Sequence, residues 1–333
     1  MSPRVSVVLP FRDAQETLAA AVESVLAQDE GDFELLAVDD GSVDHSRRVV
    51  EAFSDRRIRL LNNQDAPGIV GALMTGVRAA RSGWIARMDA DDVSHPERLR
   101  LCLDRAEAGD EPGVVSGRVR LTSALGEGMQ RYVDWVNGLA DHEAISRARF
   151  IECPLVHPST LIRRSWLERV GGYRDRPWAE DHDLWLRLLA AGCRFARIAE
   201  RVLDWRDSPK RATRSDPRYG DKARIAMRAQ HLAQLEGIRK HGAWIAGAGP
   251  TGKRLRRALA AEGVRIHGFA EVHPRRIGQK IHGLPVHACE PMLALRGRAT
   301  VIGAAGGEAA RIRLRRWAGD AGLIEGGDFW QAT

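Results

Sequence analysis

Three carboxylates crowd the end of the stretch WIARMDADD, where Asp89, Asp91 and Asp92 follow an apolar start. If the chain stays extended here, the side chains of Asp89 and Asp91 point the same way and their like charges repel each other. A divalent cation such as Mg²⁺ or Mn²⁺ offsets this repulsion, because it binds carboxylate oxygens and keeps positions for substrate phosphates. The stretch therefore predicts a metal site at Asp89 and Asp91.

Helix capping is the alternative explanation for these acids. The residues SHPE, from Ser94 to Glu97, fit a capping box, and the helix dipole favours acids just upstream of a helix. Capping accounts for Asp92 and Ser94 but leaves Asp89 and Asp91 unexplained. The metal site is therefore the preferred interpretation.

Apolar runs and helical patterns alternate along the first part of the chain, which predicts a parallel sheet covered by helices on both faces. The predicted strands are RVSVVLPF, FELLAVDDGS, IRLLNN and GWIARMDADD, and the predicted helices are TLAAAVESVLAQ, SRRVVEAF and GIVGALMTGVRAAR. Ligands of such sheets bind beyond the carboxyl ends of the strands. The strand ends PFRD, VDDGS and MDADD are therefore expected to converge on one crevice.

The pattern weakens between Arg118 and Leu155 and then resumes. A strand, a short helix and a glycine turn are predicted in LVHPSTLIRRSWLERVGGY, a helix in AEDHDLWLRLLAAG, and a strand in RFARIAERVLDWR. The polar segment SPKRATRSDPRYG predicts a surface loop. The helix DKARIAMRAQHLAQLEGIRKHG is expected to end a first domain over residues 1–238, and a second α/β domain is expected over residues 239–333.

A glycine-rich turn opens the second domain. GAWIAGAGPTGKRLRRALAAEG predicts a strand, a turn with Gly247, Gly249 and Gly252, and a helix, and Glu271 ends the next strand, GFAEV. This spacing is typical of a dinucleotide-binding turn with its ribose-binding acid. A relic of such a fold that serves packing or oligomerisation is the alternative. A P-loop is disfavoured, because Arg254 stands where its Ser or Thr would be. The rest of this domain predicts a helix in EPMLALRG, a strand in ATVIGAA and a helix in EAARIRLRRWAGDAG.

Bulk composition narrows the class of protein. The 333 residues carry a net charge of +7, which indicates attraction to phosphorylated substrates, acidic glycans or an anionic membrane face, with a solvated basic surface as the alternative. A nucleic-acid partner is not expected, because the arginines are dispersed and weakly interleaved with aromatic residues. No membrane helix or secretory signal is expected, and the four scattered cysteines fit a reducing compartment. We expect a cytoplasmic protein, with peripheral association with the inner membrane face left open.

Four segments together resemble a family 2 glycosyltransferase of the GT-A fold. They are VSVVLPFRDAQETL, LLAVDDGS, GIVGALMTGVRAARSGWIARMDADD and AEDHDLWLRL, in this order. The resemblance implies an α/β fold with a mostly parallel sheet flanked by helices, and a small Rossmann-like domain like this C-terminal one is found beside some glycosyltransferases and sugar-modifying acyltransferases. It also implies that Asp89 mainly contacts the nucleotide of a nucleotide-sugar, that Asp91 coordinates Mn²⁺ or Mg²⁺, and that Asp39 binds the base.

The resemblance also implies a general base. In inverting enzymes of this family the acceptor hydroxyl attacks the anomeric carbon opposite the leaving diphosphate, and a carboxylate takes its proton. This role falls on Asp181, with Glu180 as the second candidate and helix capping as the alternative for both.

Further residues are expected around the donor and the acceptor. Residues that would frame or bind the nucleotide-sugar, besides Asp39, Asp89 and Asp91, are Pro10, Phe11, Asp13, Asp40 and Arg87. An Asp-Gly turn is the alternative for the VDDGS acids, and a salt bridge to Asp89 or Asp92 is the alternative for Arg87. Residues expected near the acceptor or the diphosphate are His157, Trp185, Arg206, Arg211 and Arg214. A structural histidine and a core tryptophan are the alternatives for the first two. Nucleotide binding by the second domain would use Gly247, Gly249, Gly252 and Glu271.

These residues predict an inverting glycosyltransferase that moves a sugar, from a UDP-linked donor, to a hydroxyl of a glycan or lipid-linked acceptor in cell-surface polysaccharide synthesis. A nucleotidyltransferase is disfavoured, because PFRDAQETL lacks the glycine-rich loop that such enzymes carry after the first strand. Two further functions compete with transfer: a nucleotide-binding scaffold without turnover, and an oxidoreductase built on the C-terminal glycines.

Overall fold

The computed structural model describes residues 2–123, 126–208, 214, 216–289 and 299–333. The chain forms two compact units. Unit 1 comprises Met1–Ile145, Pro154–Arg176 and Glu180–Ser215, and unit 2 comprises Ser146–Cys153, Pro177–Ala179 and Asp216–Thr333. Unit 2 thus includes residues upstream of the domain boundary expected at residue 238. The division into two domains at that residue stays a prediction. Among the described helices, none combines the length and apolarity needed to cross a bilayer.

Unit 1 contains the strands and helices that carry the two acidic clusters. Its strands are β1 Val5–Phe11, β2 Phe33–Asp39, β3 Ile58–Asn62, β4 Trp84–Arg87, β5 Val93–Ser94, β6 Val114–Ser123, β7 Thr160–Arg163 and β8 Phe195–Arg206. The helices are α1 Leu18–Leu26, α2 Ser46–Glu51, α3 Ile69–Ala79, α4 Arg98–Ala106, α5 Glu127–Asn137, α6 His142–Ala148, α7 Arg164–Val170 and α8 Glu180–Ala190. The last three residues of α6 are assigned to unit 2. The strand–helix alternation predicted for the first part of the chain is therefore present.

The sheet of unit 1 has eight strands in the order β3-β2-β1-β4-β7-β6-β8-β5. Strands β1 to β4 are parallel to one another, whereas β7 runs antiparallel to β4 and β6. All seven residues of β1 and of β2 are buried, as in strands covered on both faces. The mostly parallel α/β fold predicted from the sequence is confirmed.

Strand register brings the expected ligand-binding segments to one edge of this sheet. Phe11 at the end of β1 pairs with Asp39 at the end of β2, and Val8 of β1 pairs with Arg87 at the end of β4. Since the three strands are parallel, the segments that follow them leave the sheet on the same side. This is the edge where open α/β sheets bind ligands.

Unit 2 has a smaller sheet of its own. Its elements are α9 Asp221–Ala233, α10 Glu236–His241, β9 Ala243–Ala246, α11 Pro250–Ala261, β10 Ile266–Glu271, β11 Lys280–Ile281, β12 Leu284–Ala288, β13 Thr300–Gly303, α12 Glu308–Asp320 and β14 Phe329–Gln331. The sheet order is β11-β12-β10-β9-β13-β14, and all its pairs are parallel except β11 with β12. Counted along the chain, the parallel strands run 3-2-1-4-5, which is a Rossmann order.

Some predicted elements differ from the structure. The weakly patterned region holds β6, α5 and α6, and the single helix expected at residues 221–242 is two helices, because Leu235 adopts an extended conformation between them. The helix expected in EPMLALRG lies outside the described residues, as does Arg211 in the expected surface loop.

Gly76 allows α3 to pack closely on the sheet. A Cβ added at this position would lie 2.4 Å from Cγ1 of Val8 in β1. We expect Gly76→Ala to lower the free energy of unfolding by about 1–3 kcal/mol, because the well-packed contact must be pushed apart. Urea denaturation followed by circular dichroism measures this change.

Gly128→Ala is the matched control, since Gly128 is an exposed helical glycine with nothing within 4 Å of an added Cβ. Alanine is the better helix former, so this variant should be unchanged or more stable by up to about 1 kcal/mol. Equal stability of the two variants would contradict the packing argument.

Candidate active site

A tight turn gathers the three carboxylates after β4. The strand ends at Arg87, and the amide of Asp92 lies 3.5 Å from the carbonyl oxygen of Asp89. One carboxylate oxygen each from Asp89, Asp91 and Asp92 lies within 4.8 Å of the others. The extended conformation considered for this stretch is therefore wrong, and a turn is what brings the acids together.

The capping box considered as an alternative does not form. Helix α4 begins at Arg98, its N-cap is Glu97, and no side chain caps it. Ser94 instead lies in β5, where its hydroxyl oxygen accepts a hydrogen bond from Nε2 of Gln28, 3.2 Å away. Capping therefore does not account for the acids upstream.

The three carboxylates of this turn differ in their surroundings. Asp89 forms an ion pair with the buried guanidinium of Arg87, and its side chain remains 22% exposed. Asp92 is buried and accepts a hydrogen bond from the backbone N–H of Arg206, 2.8 Å away. Asp91 is half-buried. Burial lowers the pKa of Arg87, but the charge of Asp89 and their hydrogen bond raise it more, so Arg87 stays protonated.

This donor set fits a hard divalent cation. Carboxylate oxygens are the ligands that Mg²⁺ and Mn²⁺ prefer, and two of the three side chains reach solvent. The negative charges exceed the single charge of Arg87 beside them. The cluster is therefore able to hold a divalent metal ion.

Asp39 and Asp40 shape the loops at the end of β2. Oδ1 of Asp39 accepts a hydrogen bond from the amide of Ser42 at 2.9 Å. The carboxylate of Asp40 accepts from the amide of Gly68 at 2.9 Å and from Nδ2 of Asn63 at 2.6 Å. Asp40 thus orders the segment that leads into α3, while binding of the base by Asp39 stays a prediction.

The residues that end β1 have structural contacts of their own. Asp13 has a positive φ of 49°, and its Oδ1 accepts from the amide of Val43 at 2.8 Å. Phe11 is buried in the apolar core, and Pro10 is buried in the strand. Asp13 therefore fixes the neighbouring loop, and contact of these residues with a nucleotide stays a prediction.

The second acidic cluster forms the first turn of α8. Glu180 and Asp183 are buried, and Asp183 accepts from Nε of Arg187 at 2.7 Å. Asp181 is half-buried, and its Oδ1 accepts from the amide of His182 at 2.7 Å. Asp181 is therefore the most exposed carboxylate of this cluster.

Two buried residues, Arg87 and Tyr173, connect the two acidic clusters. The charge of Arg87 interacts with Asp89 and also with Glu180 and Tyr173. Tyr173, whose pKa burial raises, also interacts with the charges of Glu180 and Asp181. Both clusters therefore belong to one electrostatic neighbourhood within unit 1. Sequence analysis missed Tyr173, although an aromatic residue directly after the Gly-Gly turn and before the second cluster was a usable signal.

His157 and Trp185 lie in the interior beside this neighbourhood. Nε2 of His157 is 2.8 Å from the hydroxyl of Tyr173, and its ring meets that of Trp185 edge to face. Burial, together with the charge of Arg87, lowers the pKa of His157 well below its usual value, so the ring is neutral. Trp185 is fully buried and also packs on Phe195. Contact of either side chain with an acceptor stays a prediction.

The described arginines expected at the diphosphate lie at the end of β8 and in the segment that follows it. Arg206 ends the strand and gives its amide to Asp92. Arg214 forms an ion pair with the buried carboxylate of Asp207. The structure thus ties the end of β8 to the acidic turn, and phosphate binding by these arginines stays a prediction.

Close backbone packing and a left-handed backbone conformation explain glycines in the turn after β9 of unit 2. Gly247 has a φ of +117°, and a Cβ on Gly252 would lie 1.9 Å from the carbonyl oxygen of Gly247. Gly249 is the N-cap of α11. Glu271 accepts from the amide of Ala248 at 3.1 Å and from Nη1 of Arg276 at 3.0 Å. The acid and the turn are thus brought together, and nucleotide binding here stays a prediction.

Comparison with known proteins identifies the family. Residues 6–171 match the family model of Glycosyl transferase family 2. The succinoglycan biosynthesis protein ExoO of Rhizobium meliloti (strain 1021) is 40% identical over 106 residues, which are 32% of this chain and 30% of ExoO. The Escherichia coli UDP-Glc:alpha-D-GlcNAc-diphosphoundecaprenol beta-1,3-glucosyltransferase WfgD is 40% identical over 97 residues, which are 29% of this chain and 38% of WfgD. The matches thus span less than half of either relative.

Solved structures show the same fold. S. aureus TarS 1-349 in complex with UDP-GlcNAc superposes with a TM-score of 0.52 at 13% identity, covering 71% of this chain and 68% of TarS. The mannosyltransferase PcManGT from Pyrobaculum calidifontis, in complex with GDP-Man and Mn²⁺, superposes with a TM-score of 0.50 at 21% identity, covering 98% of this chain and 82% of PcManGT. At these identities the likeness establishes the fold alone. This chain belongs to glycosyl transferase family 2.

Proposed function

We propose that this protein is an inverting glycosyltransferase that transfers a sugar from a UDP-linked donor to a hydroxyl of a glycan or lipid-linked acceptor, in cell-surface polysaccharide synthesis. The acidic turn Asp89–Asp92 would bind the donor diphosphate through Mn²⁺ or Mg²⁺. The observation that carries the proposal is that the buried Arg87 and Tyr173 interact with charges of both this turn and the cluster that contains Asp181.

The names of related proteins support the choice of donor and acceptor. WfgD is named for UDP-Glc and for a diphosphoundecaprenol-linked acceptor, and TarS was solved with UDP-GlcNAc. PcManGT, in contrast, was solved with GDP-Man, so a guanine nucleotide is the competing donor. The net charge of +7 favours a peripheral position on an anionic membrane that carries a lipid-linked acceptor, which co-sedimentation with anionic vesicles tests.

The chemistry follows from the two acidic clusters. The acceptor oxygen forms a bond to the anomeric carbon, and the bond from that carbon to the diphosphate oxygen breaks with its electron pair leaving on the diphosphate. Asp181 takes the proton of the acceptor hydroxyl. We assign this role to Asp181 rather than to Glu180, because Glu180 is buried and Asp181 is half-exposed.

Asp91 and Asp89 would hold the metal ion. When bound, the ion supplies positive charge that stabilises the departing diphosphate. The protein's own contribution is to hold the acidic turn in place, through Arg87 on Asp89 and the amide of Arg206 on Asp92.

Binding of the donor is the direct test of this function. We expect UDP-sugars, with Mn²⁺, to raise the melting temperature and to be turned over when a hydroxyl acceptor is supplied, and EDTA to abolish both effects. A thermal-shift screen of UDP- and GDP-sugars, followed by a nucleotide-release assay, measures this. Stabilisation by GDP-sugars alone would refute the uridine assignment. Binding without turnover under any acceptor would favour a scaffold, and consumption of a nucleoside triphosphate with a sugar phosphate would favour a nucleotidyltransferase.

Asp91→Asn tests the metal site. The variant keeps the side-chain volume but loses the charge, so we expect transfer to fall by roughly 100-fold or more, with weaker Mn²⁺ binding, since even groups outside the ligand shell contribute 10–100-fold. Transfer rates and Mn²⁺ titrations measure the two effects.

Asp104→Asn is the control for Asp91→Asn, because Asp104 lies on α4 with a 61% exposed side chain. This variant should retain wild-type activity, and both variants should keep the wild-type melting profile. An Asp91→Asn enzyme with unchanged Mn²⁺ binding would refute the role of Asp91.

Asp181→Asn tests the general base. Amide nitrogen and oxygen cannot take up the proton, so we expect kcat to fall by about 10²–10⁴-fold with little change in donor affinity. Single-turnover rates and donor binding separate these two quantities. Glu180→Gln is the comparison variant, and a larger loss of kcat in it than in Asp181→Asn would transfer the role to Glu180.

A further inference from the structure

A buried arginine lies directly behind the acidic turn. Arg98 is the first residue of α4 and only 1% exposed. Its Nη2 donates to the carbonyl oxygen of Arg87 at 2.6 Å and lies 3.3 Å from the carbonyl oxygen of Thr160. Its Nη1 lies 3.5 Å from Sδ of Met88. One guanidinium thus joins the last residue of β4 to the first residue of its antiparallel neighbour β7.

Burial of the Arg98 guanidinium lowers the stability of the fold compared with an apolar side chain at the same position. In the described part of the chain, Arg98 makes no ion pair, and hydrogen bonds to neutral carbonyl oxygens offset only part of the free energy that burying a charge costs. Burial lowers the pKa of Arg98 to about 10, so the group is still charged at neutral pH. An apolar side chain of similar volume would avoid this cost. The position therefore calls for another reason.

The location of Arg98 suggests that reason. The residue it holds, Arg87, is the ion-pair partner of Asp89, and the acidic turn starts two residues further on. Asp92 is close enough for its charge to raise the pKa of Arg98. The guanidinium therefore fixes the backbone from which the turn leaves the sheet, and its charge interacts favourably with that of Asp92.

We propose that Arg98 is a positioning residue for the metal site: it holds the end of β4 against β7 so that Asp89, Asp91 and Asp92 keep the spacing that binds Mn²⁺ or Mg²⁺. This inference rests on the proposed function, which places a metal ion at that turn. Nη2 contacts both carbonyl oxygens while Nη1 of the same planar guanidinium lies against Sδ of Met88, and the single ammonium of a lysine does not reproduce these three contacts together.

Arg98→Lys is the decisive variant, because it keeps the positive charge and loses the planar guanidinium with its two terminal nitrogens. Arg98→Met, which removes the charge as well, is the second. Arg100→Met is the matched control, since Arg100 lies on the same helix with a 40% exposed side chain paired with Asp29 and Glu97. Each protein is titrated with Mn²⁺, alone and with UDP, and free Mn²⁺ is measured by electron paramagnetic resonance. Circular dichroism gives the melting temperature.

We expect Arg98→Lys to fold and to bind Mn²⁺ about tenfold or more weakly, as for other groups that orient metal ligands. Its apparent KM for Mn²⁺ should rise by the same factor, with kcat at saturating Mn²⁺ changed less. Arg98→Met should bind as weakly or more weakly, and Arg100→Met should match the wild type.

Wild-type Mn²⁺ affinity in folded Arg98→Lys would overturn the inference. Failure of both Arg98 variants to fold would also overturn it, because the role would then be structural alone. If the wild-type protein itself binds neither Mn²⁺ nor Mg²⁺, the metal dependence in the proposed function is refuted, and so is the positioning role of Arg98. That result is distinguished from the first two by the wild-type titration.

Discussion

Mutual repulsion of three carboxylates within one turn is the constraint around which this end of the molecule is built. Asp89, Asp91 and Asp92 lie too close together to be stable without compensating charges or hydrogen-bond donors. The protein supplies part of the compensation from three directions: the guanidinium of Arg87, the charge of Arg98 behind the turn, and the amide of Arg206. Each of these groups lies at the end of a strand or the start of a helix, so the turn depends on how β4, α4 and β8 pack.

The parallel sheet explains why other polar residues gather near this turn. Strands β1, β2 and β4 end at one edge, and the loops that follow are fixed by carboxylates that accept backbone amides. Asp13 holds the loop at Val43, and Asp40 holds the segment that leads into α3. These two acids therefore order the loops at this edge of the sheet, and ligand binding by Asp39 and the acidic turn is part of the proposed function.

Sequence patterns predicted the first half of the sheet because β1 and β2 are continuous apolar runs, and parallel pairing follows from the helices between them. They missed β6, whose residues VVSGRVRLTS mix polar and apolar types along ten positions. Residue types indicated the acidic clusters but not their surroundings. Arg98, in the run HPERLRL, has the pattern of a surface arginine, and only tertiary packing reveals that it is buried. The turn at Asp89 was likewise hidden, because no glycine or proline marks it.

The three acids of the turn also differ in burial and in the groups that surround them. The charge of Asp89 is shared with Arg87, and Asp92 is buried against the amide of Arg206, so neither presents its full charge to the crevice. Asp91 is half-buried and lies between them in sequence. Under the proposed function, a cation that enters from solvent would meet the partly exposed Asp89 and Asp91 before the buried Asp92. The family resemblance assigns the two partly exposed members different ligands, with Asp91 at the metal and Asp89 mainly at the nucleotide, and Arg87 beside Asp89 is consistent with that assignment.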